Sequence, residues 1–335
     1  MYMYRLTSEN ELKKYGKTWS LSAKALALAN QQKACWPLAG NNYRALKNSR
    51  ESEISFGTFV VKYQFNPERI RSSAANTSPE AISSRPCFLC PGNLPAEQAG
   101  IPVAGRFILL VNPYPIFPVH LTIPSTLHTP QRIDGSIDAL LEISRLLNEF
   151  VVFYNGPKCG ASAPDHLHFQ AGIRGILPLE DDLDTLVTAH SQINSVDSDV
   201  RIYAPGNYLR RILILRSASA ESLQKRLSTI INLLPAEQGE EPMVNILTWY
   251  NAPEWTVALF PRAKQRPWQY FADDFDKLVI SPAAVELGGL VVLPREEDYF
   301  KLSGKELASV FEQVTLGKED FEALKMKIAG SSSQS

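Results

Sequence analysis

Between residues 107 and 172 the chain alternates short apolar runs with one amphipathic stretch, and this order constrains the fold more than any other feature. Phe107–Asn112 (FILLVN) has strand length, and Pro113–Pro118 carries three prolines and must turn. Val119–Ile123 is a second strand. Ser136 is placed to cap a helix running to about Glu149, with Ile137, Leu140, Leu141, Ile143, Leu146 and Leu147 forming one apolar stripe. Val151–Tyr154 is a third strand, and a Gly-rich loop leads into a fourth over His166–Gly172. Strand–strand–helix–strand–strand reads as an antiparallel α+β unit.

The later half repeats this pattern loosely. Leu209–Arg216 and Met243–Thr248 have strand character, with a helix expected near Leu223–Leu234 between them. Trp255–Phe260 and Leu287–Leu293 are further strands, and helices are expected over Gly304–Gln313 and Lys318–Ile328. A pseudo-duplication is suggested. Leu21, Leu26 and Leu28 among alanines predict an early helix, Phe59–Phe65 a strand, and Ser72–Ser84 an exposed loop. The expected units are a lead-in segment over 1–84, a first half over 85–200, a second half over 201–330 and a disordered tail over 331–335.

At 335 residues the chain suits one large or two modest domains. Hydrophobic residues at 44% and charged residues at 21% exclude a disordered or collagenous chain. Lys+Arg total 34 against Asp+Glu 35, so nucleic acid polymers are not an expected partner. No apolar run approaches the roughly 20 residues that cross a bilayer, so no membrane partner is expected. The start carries Arg5, Glu9, Glu11, Lys13 and Lys14 and lacks a signal-peptide core, so a cytoplasmic location is expected.

Chemistry concentrates in residues 155–170, NGPKCGASAPDHLHFQ. In a strand, residues two apart share a face, so His166, His168 and Gln170 project together, about 7 Å apart in succession. Leu167, Phe169 and Ala171 face the core. An imidazole is a good nucleophile toward phosphorus because it is neutral near pH 7. A Gln amide donates to a phosphoryl oxygen without adding charge. Upstream, Gly156 and Gly160 let backbone N–H groups approach a phosphate, Ser162 offers a hydroxyl, and Lys158 offers countercharge. Paired histidines on a half-exposed strand could be structural, but the Gly/Ser loop ahead of HxHxQ favours function.

The second constellation is Cys87-Phe-Leu-Cys90 followed by Pro91-Gly92. Four cysteines, with Cys35 and Cys159 the others, are too few for a disulfide framework. CxxC places two thiolates on one metal, and Pro91-Gly92 argues against the following helix that redox use would want. The alternative is two reduced, partly buried thiols. Arg69 and Arg71 could reach phosphates, although two arginines beyond a strand are more often plain surface, and Arg262, Lys264 and Arg266 read as a solvated edge or a phosphate contact.

HLHFQ preceded by Gly-x-Ser-x-Pro resembles the nucleotidyl-transferring branch of the histidine triad superfamily, closest to the GDP-L-galactose and GDP-glucose phosphorylases. Pro130-Gln-Arg-Ile133, His166–Ala171 and Pro282–Glu286 through Arg295 and Asp298-Tyr299 carry the likeness, which spans about residues 105–330. It implies an α+β fold of antiparallel sheets with packed helices in two related halves. It also implies that His168 is the nucleophile, that Gln170 steadies the charged intermediate and that Ser162 contacts phosphate. Asn112 would meet the nucleoside, Glu286 a sugar hydroxyl unless it pairs with Arg295. Gly160, Lys158 and Arg262 complete the expected substrate contacts.

The CxxC is similar to that of some uridylyltransferases of this branch rather than to the GDP-hexose phosphorylases, and that likeness implies a structural zinc held by Cys87, Cys90, His166 and His128, with His120 competing for the His128 position. The implied partners are a nucleoside diphosphate sugar and inorganic phosphate, and a homodimer is compatible. The rival readings are a hexose-1-phosphate uridylyltransferase, a dinucleoside polyphosphate phosphorylase, and a non-catalytic nucleotide-binding protein.

Overall fold

The computed structural model describes residues 3–70, 78–193 and 199–331, so most of the expected disordered tail and part of the expected loop over 72–84 lie outside the described residues. Within that loop, Pro79–Ser83 forms a short helix capped by the Ser78 hydroxyl.

Among the described residues thirteen strands follow in chain order: β1 (Arg50–Ser55), β2 (Val60–Phe65), β3 (Gly100–Val103), β4 (Phe107–Val111), β5 (His120–Pro124), β6 (Phe150–Asn155) and β7 (His168–Ile173). The second run is β8 (Gln192–Ile193), β9 (Arg201–Tyr203), β10 (Leu213–Ser217), β11 (Val244–Asn251), β12 (Glu254–Pro261) and β13 (Leu290–Leu293). Ten of them form one antiparallel sheet in the order β3-β4-β5-β7-β6-β11-β12-β10-β9-β8. Counted from its outer edge, each half has the same topology. Three sequential strands are followed by a helix (Ile137–Leu146 or Ala220–Asn232), an inner strand and a strand that inserts beside the third. The suggested pseudo-duplication is therefore present in strand order, where sequence identity between halves is not visible.

Period-2 alternation sorts the side chains into two layers. Leu109, Val111, Leu121, Ile123, Phe169, Ala171, Val152 and Tyr154 point to one face, where the two helices between strands, Leu21–Cys35 and Lys318–Gly330 pack on them. The helix over 137–146 starts after Ser136 as expected, although the Ser136 side chain makes no capping bond. On the opposite face the halves diverge. In the second half Leu247, Trp249, Ala258 and Phe260 are covered by the helix Gly304–Val314 and by β13. β13 pairs in parallel with β2, and β1 completes a three-stranded sheet. In the first half the same face carries Leu110, Thr122, Gln170 and Phe153, in register across β4, β5, β7 and β6. It lines a cavity instead.

The sequence reading differs at several edges; the helix expected to run to about Glu149, for one, ends at Leu146. β7 begins at His168, so His166 lies in the turn before it. The strand expected over Leu287–Leu293 begins only at Leu290, because Leu287 closes the helical turn Ala284–Leu287. The run 209–212 precedes β10 instead of belonging to it.

The halves meet where β6 pairs with β11, with Asn155 opposite Asn245. Asn245 is fully buried and its amide donates to Asn155 Oδ1 (2.7 Å) and to the Cys159 carbonyl (2.8 Å), while its own oxygen accepts from Arg262. The N–H of Ala284 also donates to Asn155 Oδ1, at 2.9 Å. Replacing one partner in such a set strands the others without water. Asn245→Ala is expected to cost about 2–4 kcal/mol, read as a lowered denaturant midpoint.

Candidate active site and metal centre

His168 and Gln170 occupy β7 on the cavity side, between β5 and β6. Leu167, Phe169 and Ala171 are buried at 6%, 0% and 0% exposure, as the alternation predicts. The cavity holds about 580 Å³. Trp36, Leu38, Phe88, Leu89 and Pro95 give it one apolar flank, and Arg69, Arg266, Ser281 and Glu286 bring polar groups.

Main-chain groups assign the ring protons. The His166 carbonyl lies 2.8 Å from His168 Nδ1, so that nitrogen carries the hydrogen and donates. Nε2 then carries the lone pair, on a residue that lines the cavity. Burial holds the His168 imidazole down at about 4, so it is neutral at pH 7. The backbone of His168 is clamped by Gln131, whose side-chain oxygen accepts from the His168 N–H (2.8 Å) and whose amide donates to the His168 carbonyl (3.0 Å) and the Asn155 carbonyl (2.9 Å).

His120 sets Gln170 in the same way. The Ile116 N–H donates to His120 Nδ1 at 3.2 Å, so the ring hydrogen is on Nε2 and donates to Gln170 Oε1 at 3.0 Å. With its oxygen engaged there, Gln170 presents its NH₂ group as the donor for the cavity. Burial holds His120 at about 3, with Arg69 adding to the depression. Two roles thus went unread in the sequence. Gln131 stands in the Pro130–Ile133 stretch that carries the resemblance but has no role of its own there, and His120 competes only as a metal ligand.

The loop ahead of β7 also lines the cavity, through Gly160, Ala161 and Ser162. Gly160 has φ +97°, and a Cβ there would sit 2.7 Å from the Ala283 Cβ, so glycine is required. Arg85, which carried no sequence motif, donates to the Ser162 carbonyl at 2.9 Å and lines the cavity itself. Asn112 lines it too, donating to Thr122 Oγ1 (3.1 Å) while its oxygen accepts the Tyr114 N–H.

Glu286 lines the cavity with its carboxylate accepting the Ala283 N–H at 2.9 Å. Burial raises its carboxyl, and that backbone bond and nearby Arg69 and Arg262 oppose the shift. It does not pair with Arg295, which engages Glu297 and Asp298. Arg69, read as surface, lines the cavity and donates to the Tyr114 carbonyl at 2.9 Å, while Arg71 lies outside the described residues.

Two expected substrate contacts are redirected. Arg262 is buried and its guanidinium is engaged by the Val314, Lys264 and Gln265 carbonyls and by Asn245, so it braces the seam between halves. From that basic cluster it is Arg266 that reaches the cavity. Lys158 is half-exposed and ion-pairs with Glu240 and Glu237, away from the residues that line the cavity.

Cys87, Cys90, His128 and His166 converge, with one ligand atom from each all within 4.8 Å of one another. Cys87 Sγ is 3.3 Å from His166 Nδ1, and Cys90 Sγ is 3.1 Å from His128 Nδ1 and 3.6 Å from His166 Nδ1. Tetrahedral zinc with N and S ligands places neighbouring donors about 3.5 Å apart, so this donor set fits. His166 donates Nε2–H to the Ser125 carbonyl at 2.9 Å, which turns Nδ1 toward the thiols. His120 stands elsewhere, on Gln170, so the choice between the two histidines falls to His128. Pro91–Asn93 after the second cysteine forms a single 3₁₀ turn rather than a helix.

Comparison with known proteins bears on both halves. Residues 28–173 match a family model described as a domain of unknown function (DUF4922), and residues 186–335 match the GDPGP1-like C-terminal domain. None of the curated proteins matches this chain. Among solved structures it is similar to yeast Ap4A phosphorylase Apa2, with 13% identity and a TM-score of 0.57 over 84% of this chain and 97% of that one. The same enzyme in complex with Ap4A gives 14% identity and a TM-score of 0.54 over 84% and 97%. At that identity the likeness establishes the fold. Among the described residues no helix is long and apolar enough to cross a membrane.

The depressed imidazoles make acid a specific threat to the fold. An unfolded imidazole titrates near 6.5. Between that value and the native values the unfolded chain binds more protons, so the stabilising contribution is full above about 6.5. It is lost as pH falls toward about 4 for His168 and about 3 for His120. The ring C2–H resonances of both residues are expected to stay at their neutral NMR positions from pH 8 down to 5.

Proposed function

We propose that this chain is a nucleotidyltransferase of the histidine triad superfamily and transfers a nucleotidyl group through His168, a reading supported by its fold likeness to an Ap4A phosphorylase and by its GDPGP1-like second half. The carrying observation is a neutral imidazole with Nδ1 committed to a carbonyl and Nε2 free to attack, beside a Gln amide whose donor end is turned to the same cavity. Nε2 attacks the α-phosphorus of a nucleoside diphosphate hexose, and the bond to the departing sugar 1-phosphate breaks. A phosphate oxygen then attacks the same phosphorus, the phosphorus–nitrogen bond breaks and nucleoside diphosphate leaves. Splitting one displacement into two is the benefit of a covalent enzyme. Gln170 donates to the phosphoryl oxygens, and Ser162 with the backbone around Gly160 supplies further donors. Asn112 is assigned to the nucleoside and Glu286 to a sugar hydroxyl.

A GDP-hexose is the proposed substrate, in keeping with the GDPGP1-like second half. The fold likeness to an Ap4A phosphorylase supports a second substrate, a dinucleoside polyphosphate, for the same chemistry. A panel of GDP-, ADP- and UDP-hexoses and Ap4A, assayed for phosphate-dependent release of nucleoside diphosphate, separates them. Without phosphate, intact mass should reveal an acid-labile nucleotidyl adduct on the wild type. His168→Ala should lose the adduct and several orders of magnitude of turnover while still binding nucleotide. An adduct that persists in His168→Ala overturns the assignment.

Zinc is the proposed occupant of the Cys87, Cys90, His128 and His166 cluster, where it would cross-link the CxxC loop to the start of the catalytic strand. Four protein ligands leave no position for substrate, so its role is structural. Cys87→Ser should lose about one zinc per chain and lower the melting temperature together, since metal binding and folding are linked. Wild-type protein purified without chelator and found free of zinc, with both thiols titratable, removes this part of the reading.

A further inference from the structure

Resting on the zinc reading above, we propose that Asp165 is a positioning residue of the metal centre, holding the His128 ring so that it ligates through Nδ1. The two ligand histidines are oriented by different means. His166 has its Nε2–H on the Ser125 carbonyl. His128 sits on an exposed loop with its Nδ1 against Cys90 Sγ, and the group facing its Nε2 is the Asp165 carboxylate, with Oδ2 at 3.7 Å. A modest rotation of either side chain closes that gap to a hydrogen bond once a metal draws the ring in. A ligating imidazole keeps one N–H, and a carboxylate or carbonyl on that N–H fixes both the tautomer and the ring plane.

Two further observations mark Asp165. Its other oxygen, Oδ1, is buried without a hydrogen-bond partner, 3.6 Å from the Arg85 guanidinium. A carboxylate held that way is kept for a charge or a donor nearby. Charge also balances. Two thiolates offset a divalent ion, and Arg85 offsets Asp165, so the assembled centre is neutral. Arg85 stacks over Phe88 inside the CxxC loop (4.9 Å to the ring centroid) and bonds the Ser162 carbonyl. The carboxylate that orients one ligand is also covalently next to the other, His166.

The test uses the full chain loaded with zinc, and with cobalt as a visible probe of ligand geometry. Zinc affinity is measured by competition with a chromophoric chelator for the wild type, Asp165→Ala and Asp165→Asn. Asp165→Ala should bind zinc about 10–100-fold more weakly. Asp165→Asn keeps an acceptor oxygen without the charge and should fall between. The cobalt absorption of Asp165→Ala should change in shape, a response that a general loss of stability would not produce. If both variants bind zinc within twofold of the wild type with unchanged cobalt spectra, the inference is overturned and the zinc reading stands. A wild type that takes up neither metal removes both.

Discussion

Everything at the site hangs on one antiparallel pairing, β6 against β11, and on the buried asparagine pair at its end. Asn155 Oδ1 accepts from Asn245 of the partner strand and from the Ala284 N–H. One carboxamide therefore sets the distance between the first half's cavity loop and the second half's cavity wall. Gly160 meets Ala283 across that junction, with no room for even one added carbon. Arg262 then locks Asn245 from behind. The cost of burying so polar a seam is offset because nearly every donor and acceptor in it is matched.

The two halves show how one topology yields one site. Their strand orders agree, yet the face of β7 that carries His168 and Gln170 corresponds in β12 to Thr256, Ala258 and Phe260, all buried. β13 and the helix over 304–314 fill in the second half the space that stays open in the first. The second half supplies cavity-wall residues such as Arg266, Ser281 and Glu286.

What was legible in the sequence followed from strong local signals. The amphipathic stripes over 137–146 and 304–314 and the apolar runs of β4, β5, β6 and β12 bury one or both faces, so periodicity read them correctly. HxHxQ and CxxC were legible as constellations because their spacing brings residues together: His168 and Gln170 line one cavity, and the two cysteines converge with His128 and His166. What stayed hidden depends on tertiary neighbours. β1 is polar and nearly all exposed, so no pattern marks it, and β3 has a proline and four residues. Arg69 and Arg266 look like surface cations until the fold turns them inward. The roles of Gln131, His120 and Arg85 exist only through bonds that span 37, 50 and 77 residues, distances at which a linear reading has no purchase.

Each of the three buried histidines has one ring nitrogen engaged by the main chain: His168 by the His166 carbonyl, His166 by the Ser125 carbonyl, His120 by the Ile116 N–H. Backbone groups are the same whatever residue carries them. Neighbouring side chains can therefore drift through evolution without rewiring where the protons sit. A substitution in the cavity wall would therefore change the shape of the cavity and leave the His168 Nε2 lone pair where the backbone has set it.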